Sequence, residues 1–161
     1  MQPAATSPIR ISRTSAIVLK GMPDEVFPLF GPMREREWAP GWDPTIIYPG
    51  GGLVEAHMVF TSRSHHADEG QSTWTVSSYD PGHGFIEYTV FVPGRLWTIA
   101  IRCEPGRADR TTRAEVTYTY TGVTEEGRRL NEAALERMFH RDLNDWEEQI
   151  NGTLEDRAGT P

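Results

Sequence analysis

Residues 124–154, TEEGRRLNEAALERMFHRDLNDWEEQINGTL, carry the strongest helical pattern in the chain. Thr124 can cap the N-terminus of a helix, and Glu125 and Glu126 follow in the first turn, where negative charge is favoured. Good helix formers continue to about Leu154. The stretch predicts a helix of about 30 residues and roughly 45 Å, which is long enough to cross a sheet of five or six strands.

This predicted helix has one apolar face. At about 100° per residue its large apolar side chains cluster on one side, and that side must be buried against another layer. The residues of this stripe are Leu135, Met138, Phe139, Leu143, Trp146 and Ile150.

The chain before the helix has the pattern of a β-meander. From Val54 to Thr121, β-rich segments alternate with turn signals at residues 81–84, 93–94 and 105–109. Alternation predicts which side chains share the apolar face of the sheet. They are Trp74, Val76 and Ser78; Ile86, Tyr88, Val90 and Val92; Trp97, Ile99, Ile101 and Cys103; and Ala114, Val116, Tyr118 and Tyr120.

The N-terminal third predicts one strand and a short helix. Residues 11–20 contain a β-branched run and end at Gly21, which is typical of a strand. Pro23 is placed to start a helix, but Pro28 follows too soon for a regular one, so the helix should be short or kinked. Residues 30–52 are rich in proline and glycine and are expected to be irregular.

Length and composition limit the function classes. The chain has 161 residues, of which 37% are hydrophobic and 24% charged, so we expect one globular domain over residues 9–154 with flexible tails at 1–8 and 155–161. The net charge of −7 argues against a nucleic-acid partner. No apolar run is long enough for stable membrane insertion, and no signal peptide is recognisable, so the expected location is cytoplasmic.

These elements predict an α+β fold with an internal space. A curved antiparallel sheet of about six or seven strands would lie against a long C-terminal helix, with two short helices after the first strand. Strong twist holds such a helix away from the middle of the sheet, and a cavity forms if the facing side chains do not fill the gap.

Five short stretches in this order resemble one known superfamily. They are residues 16–19 leading into 22–27, residues 37–42, residues 58–60 ahead of Thr73-Trp74, residues 119–121, and Trp146-Glu147. The chain resembles the START-like or Bet v 1-like helix-grip superfamily (SRPBCC). That superfamily includes lipid and sterol carriers, polyketide cyclases and dehydratases, ubiquinone-binding proteins and activators of a heat-shock ATPase. The resemblance implies an apolar ligand cavity but selects no chemistry.

The candidate ligand-binding residues are the side chains that face this space. Most are aromatic residues and methionines, which offer apolar contact and, for Tyr and Trp, a polar tip. The alternative is that they form ordinary core. The candidates are Trp38, Met58, Phe60, Trp74, Val76, Tyr88, Val90, Trp97, Ile99, Tyr118, Met138, Phe139 and Asp142.

Asp142 is unusual because the projection places it about 20° from Leu135, inside the apolar stripe. A carboxylate there needs a partner or water. Facing the cavity, it could serve as a general acid or base together with Tyr88. The alternative, which we favour, is a structural ion pair with an arginine near the rim, such as Arg102.

Other chemical sites find less support. The residues His65-His66-Ala67-Asp68-Glu69 contain four possible metal ligands, but the spacing favours a solvated loop, so no metal is predicted. Cys103 on an apolar strand face is expected to be a core residue. Glu35, Glu37 and Trp38 could belong to a lid, or the two acids to a solvated face. No cofactor fingerprint is present.

The leading functional hypothesis is a carrier or sensor that binds a hydrophobic or amphipathic small molecule, such as a lipid or polyketide. One alternative is an aromatase, cyclase or dehydratase that uses the same cavity. Another is an interaction module like the heat-shock-ATPase activators. The oligomeric state stays open.

Overall fold

Seven antiparallel strands form one sheet in the computed structural model, which describes residues 6–64 and 67–159. The strands are β1 (Arg10–Leu19), β2 (Thr45–Tyr48), β3 (Val59–Arg63), β4 (Gln71–Asp80), β5 (Phe85–Val92), β6 (Arg95–Pro105) and β7 (Thr112–Gly122). Their order across the sheet is β1-β7-β6-β5-β4-β3-β2. Strands β3 to β7 form the predicted meander, β2 adds an edge strand beside β3, and β1 pairs with the last strand.

The helices lie before and after the meander. Helix α1 (Pro23–Val26) continues into 3₁₀ turns at Phe27–Phe30 and Arg34–Glu37. The C-terminal helix consists of α2 (Glu125–Arg137), a π-helical turn (Met138–Asp142) and α3 (Leu143–Ala158). This arrangement confirms the predicted helix-grip α+β fold.

The start of the long helix is as predicted, and its end is not. Thr124 Oγ1 accepts a 3.0 Å hydrogen bond from the backbone N–H of Gly127, which caps α2. At the other end, α3 reaches Ala158, so residues 155–158 are helical although their composition suggests a tail. Exposed polar residues with good helix propensity simply continue the preceding turn.

The predicted helix is also not a continuous α-helix. Its middle widens into the π-helical turn Met138–Asp142, at the place where the helix passes the space beside the sheet. Such turns commonly occur at functional sites. The predicted stripe still faces inward, with Leu135 and Ile150 at 8% and 0% exposure.

Pro28 shortens the first helix as predicted. Helix α1 ends at Val26, and Pro28 lies in the following 3₁₀ turn, where it needs no α-helical hydrogen bond to a preceding carbonyl. Phe27, Leu29 and Phe30 in this turn are buried and fill the adjacent end of the core.

The expectation that residues 30–52 are irregular is wrong at β2. Thr45–Tyr48 forms a short edge strand beside β3, with Ile46 opposite Phe60. Prolines on both sides of the segment and its mostly exposed side chains hide the strand from sequence patterns.

Alternation predicts the inward face correctly except near the end of β4. The pairing of β4 with β5 shifts register between Val76 and Ser78, so that Tyr79 stands opposite the buried Ile86. Ser78 therefore does not share the apolar face, and Tyr79 packs against the core in its place. A β-bulge changes the face of every later residue on its strand.

A candidate ligand cavity between the sheet and the long helix

A cavity of about 1380 Å3 lies between the sheet, the long helix and the segment that follows α1. Its wall combines eight aromatic side chains with polar and charged ones such as Arg63, Gln71 and Gln149. From the sheet come Trp74, Tyr88, Trp97, Ile99, Tyr118 and Tyr120; from the long helix Ala134, Met138, Asp142 and Trp146; and from the segment Glu35, Trp38 and Trp42.

Two tryptophans of the segment that follows α1, Trp38 and Trp42, pack it against both the long helix and the sheet. The rings of Trp38 and Trp146 are 5.6 Å apart at their centroids, and those of Trp42 and Trp74 are 5.3 Å apart. Both pairs meet edge to face, a favourable geometry for aromatic rings. The segment is therefore a packed third wall of the cavity.

The polar tips of these two tryptophans are used to hold the segment in place. Trp38 Nε1 donates to the carbonyl oxygen of Leu29 at 2.7 Å, and Trp42 Nε1 donates to that of Pro32 at 2.6 Å. Neither indole N–H is thus available to a ligand, and both rings offer apolar surface only.

Tyr88 is held in the same way. Its hydroxyl donates a 2.6 Å hydrogen bond to the carbonyl oxygen of Phe30. Burial raises the pKa of this hydroxyl well above its ordinary value. Because the phenolic proton is already donated to the backbone, the geometry does not favour Tyr88 as a proton donor to a ligand.

Asp142 faces the cavity and is paired. Its carboxylate lies 3.4 Å from Arg137 Nε and 3.1 Å from Arg141 Nε. Asp142 therefore forms an ion pair, as the structural alternative in the sequence analysis predicts. The suggested partner, Arg102, is wrong. Arg102 lies instead over the ring of Phe85, 4.7 Å from its centroid, because alternation along β6 turns it to the outer face of the sheet.

A buried ion pair stands at another part of the wall. Arg95 donates to both carboxylate oxygens of Glu69, at 2.8 and 2.9 Å, and the two side chains are 4% and 7% exposed. The guanidinium also donates to Asn131 Oδ1 and lies 4.6 Å from the ring centroid of Trp97. The sequence pattern predicts Glu69 to lie in a solvated loop. The structure instead buries its carboxylate in an ion pair.

Glu35 is the wall residue that sequence reasoning assigned only to a lid or a solvated face. It is half-buried and lines the cavity, and its carboxyl has no hydrogen bond or ion pair to any residue in the described ranges. Burial raises the pKa of this carboxyl well above its ordinary value. The spacing of three residues to Trp38 on a helical turn could have indicated that the two share a face.

Tyr118 is a second polar group open to the cavity. Within residues 6–64 and 67–159 its hydroxyl has no hydrogen-bond partner, and its ring packs edge to face on Phe139. Burial raises the pKa of this hydroxyl, and repulsion from Tyr120 and Glu35 adds to the effect. Tyr118 therefore keeps its proton and can donate it in a hydrogen bond.

The predicted ligand-binding residues divide into two groups. Eight of them line the cavity: Trp38, Trp74, Tyr88, Trp97, Ile99, Tyr118, Met138 and Asp142. The other five, which are Met58, Phe60, Val76, Val90 and Phe139, do not, and all but the partly buried Phe139 are fully buried in packed core. That the first group contacts a ligand stays a prediction. Trp42, Trp146, Tyr120 and Arg95 were not among the candidates.

The sequence also contains a candidate metal-binding cluster at residues 65–69 and predicts a core role for Cys103. His65 and His66 lie outside the described residues, and in the described part of the chain no cluster of His, Cys, Asp or Glu has the composition of a metal site. Cys103 is buried on β6, and burial raises the pKa of its thiol to about 12. No helix among the described residues could span a membrane.

Comparison with known proteins identifies the family. Residues 10–148 match the family of polyketide cyclases / dehydrases and lipid transport proteins, and the chain belongs to that family. No curated protein matches this chain.

Solved structures with the same fold are distant in sequence. The Zhui aromatase/cyclase from Streptomyces sp. R1128 has a TM-score of 0.70 at 16% identity, covering 94% of this chain and 99% of that one. Norcoclaurine synthase from Thalictrum flavum, in complex with dopamine and hydroxybenzaldehyde, has a TM-score of 0.68 at 12% identity, covering 93% and 89%. Ara h 8.0201 has a TM-score of 0.63 at 11% identity, covering 91% and 99%.

These findings confirm the START-like and Bet v 1-like resemblance. The family and the fold support hydrophobic ligand binding or cyclase activity as the function.

Proposed function

We propose that the chain binds a hydrophobic or amphipathic small molecule in the cavity between its sheet and its long helix. The observation that supports this most is the wall itself. Eight aromatic side chains line about 1380 Å3 of space instead of closing it, and polar residues complete the wall. Sites for drug-sized ligands occupy roughly 300–1,000 Å3, so the space suffices for a polycyclic or lipid-like molecule.

Affinity would come from the area removed from water, at about 25 cal/mol per Å2 of apolar surface. Orientation would come from polar groups of the wall that have no partner in the protein. Trp38, Trp42 and Tyr88 are not among these groups, because each donates its polar hydrogen to a backbone carbonyl.

The test uses freshly purified protein. Native mass spectrometry detects a bound molecule from the cell, and a panel of flavone, progesterone, menadione and palmitate is titrated by tryptophan emission and by melting temperature. We expect saturable binding of at least one compound at one per chain. The proposal is overturned if no molecule co-purifies and all four compounds leave both signals unchanged.

An enzyme of the cyclase or dehydratase type is the second candidate, and the Glu35 carboxyl favours it. A partly enclosed acid without an ion-pair partner has the character of a general acid or base. A simple probe is the β-hydroxy ketone 4-hydroxy-4-phenylbutan-2-one, whose loss of water gives a conjugated ketone that absorbs in the near ultraviolet. The candidate fails if the wild type is no faster than buffer, or if Glu35→Gln is as fast as the wild type.

A further inference from the structure

Glu35 is held on a fixed turn. Its backbone N–H donates to the carbonyl oxygen of Gly31 at 3.0 Å, and its own carbonyl accepts from the N–H groups of Trp38 and Ala39 at 3.1 and 2.8 Å. The side chain therefore enters the cavity from a backbone with little freedom, as a ligand-positioning group requires.

The charged residues beside Glu35 on its own segment are engaged elsewhere. Arg34 pairs with Glu37, and Arg36 donates to Asp43 at 2.8 Å. Glu37 also pairs with Arg157 of α3. Neither neighbouring arginine thus compensates an ionised Glu35.

The groups that face the cavity from the sheet do not supply a counter-charge either. Tyr88 and Tyr118 carry neutral hydroxyls, since burial raises the pKa of both. Tyr120 is neutral for the same reason. The guanidinium of Arg95 is compensated by Glu69.

On the long helix, Arg137 and Arg141 share the single carboxylate of Asp142, and neither arginine pairs with Glu35. Asp142 lies between Arg137 and Arg141, and Asp145 is exposed to solvent. Arg63 on β3 is exposed as well. Burial is accordingly the main cause that raises the pKa of Glu35, and the uncharged acid carries an O–H donor.

We propose that Glu35 is the polar anchor of the ligand and donates a hydrogen bond to an uncharged ligand oxygen, such as that of a ketone or quinone. The cavity would then take neutral oxygenated ring compounds in preference to carboxylates and amines. This inference rests on the proposed function and specifies the ligand class for the same site.

The energetics favour a neutral partner. Binding an ammonium group at Glu35 requires both an ionised carboxyl and the transfer of a charged group out of water, and each carries a desolvation cost. A carboxylate beside Glu35 suffers the same desolvation cost, and Glu35 itself offers it no opposite charge. A ketone accepts the O–H hydrogen bond without creating a charge, and the aromatic wall contacts its rings.

Three probes with one ring system separate these possibilities. They are 2-acetylnaphthalene, 2-naphthoate and 2-naphthylmethylammonium, titrated by tryptophan emission at pH 6 to 9. We expect the ketone to bind about tenfold or more tightly than either ion. Its affinity should fall as the pH rises through the pKa of Glu35, because ionisation removes the donor.

Two variants of Glu35 and one control locate the effect. Glu35→Gln keeps an N–H donor, so it should bind the ketone within about threefold of the wild type at pH 6 and lose the pH dependence. Glu35→Leu should lower the affinity for the ketone about fivefold, because the hydrogen bond is lost. Glu37→Gln, on the same turn but outside the cavity wall, should bind as the wild type does.

The other outcomes contradict the inference in distinct ways. If the ammonium probe binds most tightly and Glu35→Gln abolishes this binding, Glu35 is ionised and binds a cation instead. Tightest binding of naphthoate would assign recognition to the arginines of the long helix. Equal ketone binding by wild type and Glu35→Leu would overturn the anchor and leave the cavity proposal intact, whereas no binding of any probe to the wild type would count against both.

Discussion

The Tyr88 hydroxyl, in the middle of the sheet, donates its proton to the carbonyl oxygen of Phe30 across 2.6 Å. This contact fastens the 3₁₀ turn after α1 to β5. It also removes the Tyr88 hydroxyl from the groups available to a ligand, whereas the Glu35 carboxyl and the Tyr118 hydroxyl line the cavity without a hydrogen-bond partner among the described residues.

Tyr88→Phe should destabilise the chain. The ring stays, but the carbonyl of Phe30 loses its partner in a buried setting, which costs about 1–3 kcal/mol. Urea unfolding monitored by tryptophan emission measures this change. An unfolding free energy within a few tenths of a kcal/mol of the wild type would show that the bond contributes little.

Glu69→Gln should be among the most damaging polar substitutions. It leaves the Arg95 guanidinium buried without its carboxylate, at a cost of about 3–5 kcal/mol. The double variant Arg95→Met/Glu69→Gln should recover part of the loss because no buried charge is left unpaired. Glu155→Gln is the control, since its pair with Lys20 has side chains 57% and 62% exposed and should contribute less than about 1 kcal/mol.

Two helical glycines should respond to alanine in opposite directions. A Cβ on Gly127 would lie 2.0 Å from the carbonyl oxygen of Gly94, because the start of α2 packs directly on the turn between β5 and β6. A Cβ on Gly152 of α3 meets no atom of the described residues within 4 Å. We expect Gly152→Ala to stabilise by about 0.5–1 kcal/mol and Gly127→Ala to destabilise strongly. Similar melting temperatures for the two variants would contradict the packing at Gly127.

Glu35→Gln should change the pH dependence of stability. The folded chain holds the Glu35 proton at a pH where the unfolded chain has released it, so the wild type loses stability as the pH rises above the ordinary carboxyl pKa of 4.5. Loss continues until the pH passes the raised folded pKa. The advantage of the glutamine variant over the wild type should therefore grow with pH in urea unfolding, with Glu37→Gln as the control for removing one negative charge. A difference that is constant from pH 4 to 9 would contradict the environment assigned to Glu35.

The predictable parts of this fold are those that depend on long periodic patterns. The long helix follows from its apolar stripe, and the inward faces of β5, β6 and β7 follow from strict alternation. Such patterns extend over ten or more residues, so single exceptions do not hide them.

The features missed by sequence reasoning depend on single residues or on distant contacts. The β-bulge beside Ser78 reverses which side chains of β4 face inward after Val76, and no glycine or proline marks its position in the sequence. The π-helical turn likewise has no local signal in residues 138–142. Sequence patterns assign Glu35 only to a lid or a solvated face, because the cavity that it lines is formed by residues of the sheet and the long helix, which lie far from it along the chain.

The most direct test of the cavity compares two neighbouring alanines of α2. Ala134 lies in the cavity wall, whereas Ala133 is exposed on the outer side of the same helix. The panel of flavone, progesterone, menadione and palmitate is titrated against Ala134→Phe, Ala133→Phe and the wild type. We predict that Ala134→Phe lowers the affinity for every compound that the wild type binds, because the phenyl ring fills part of the cavity. Ala133→Phe should leave the affinities unchanged. Equal affinities for both variants would show that ligands do not occupy the space between the sheet and the long helix.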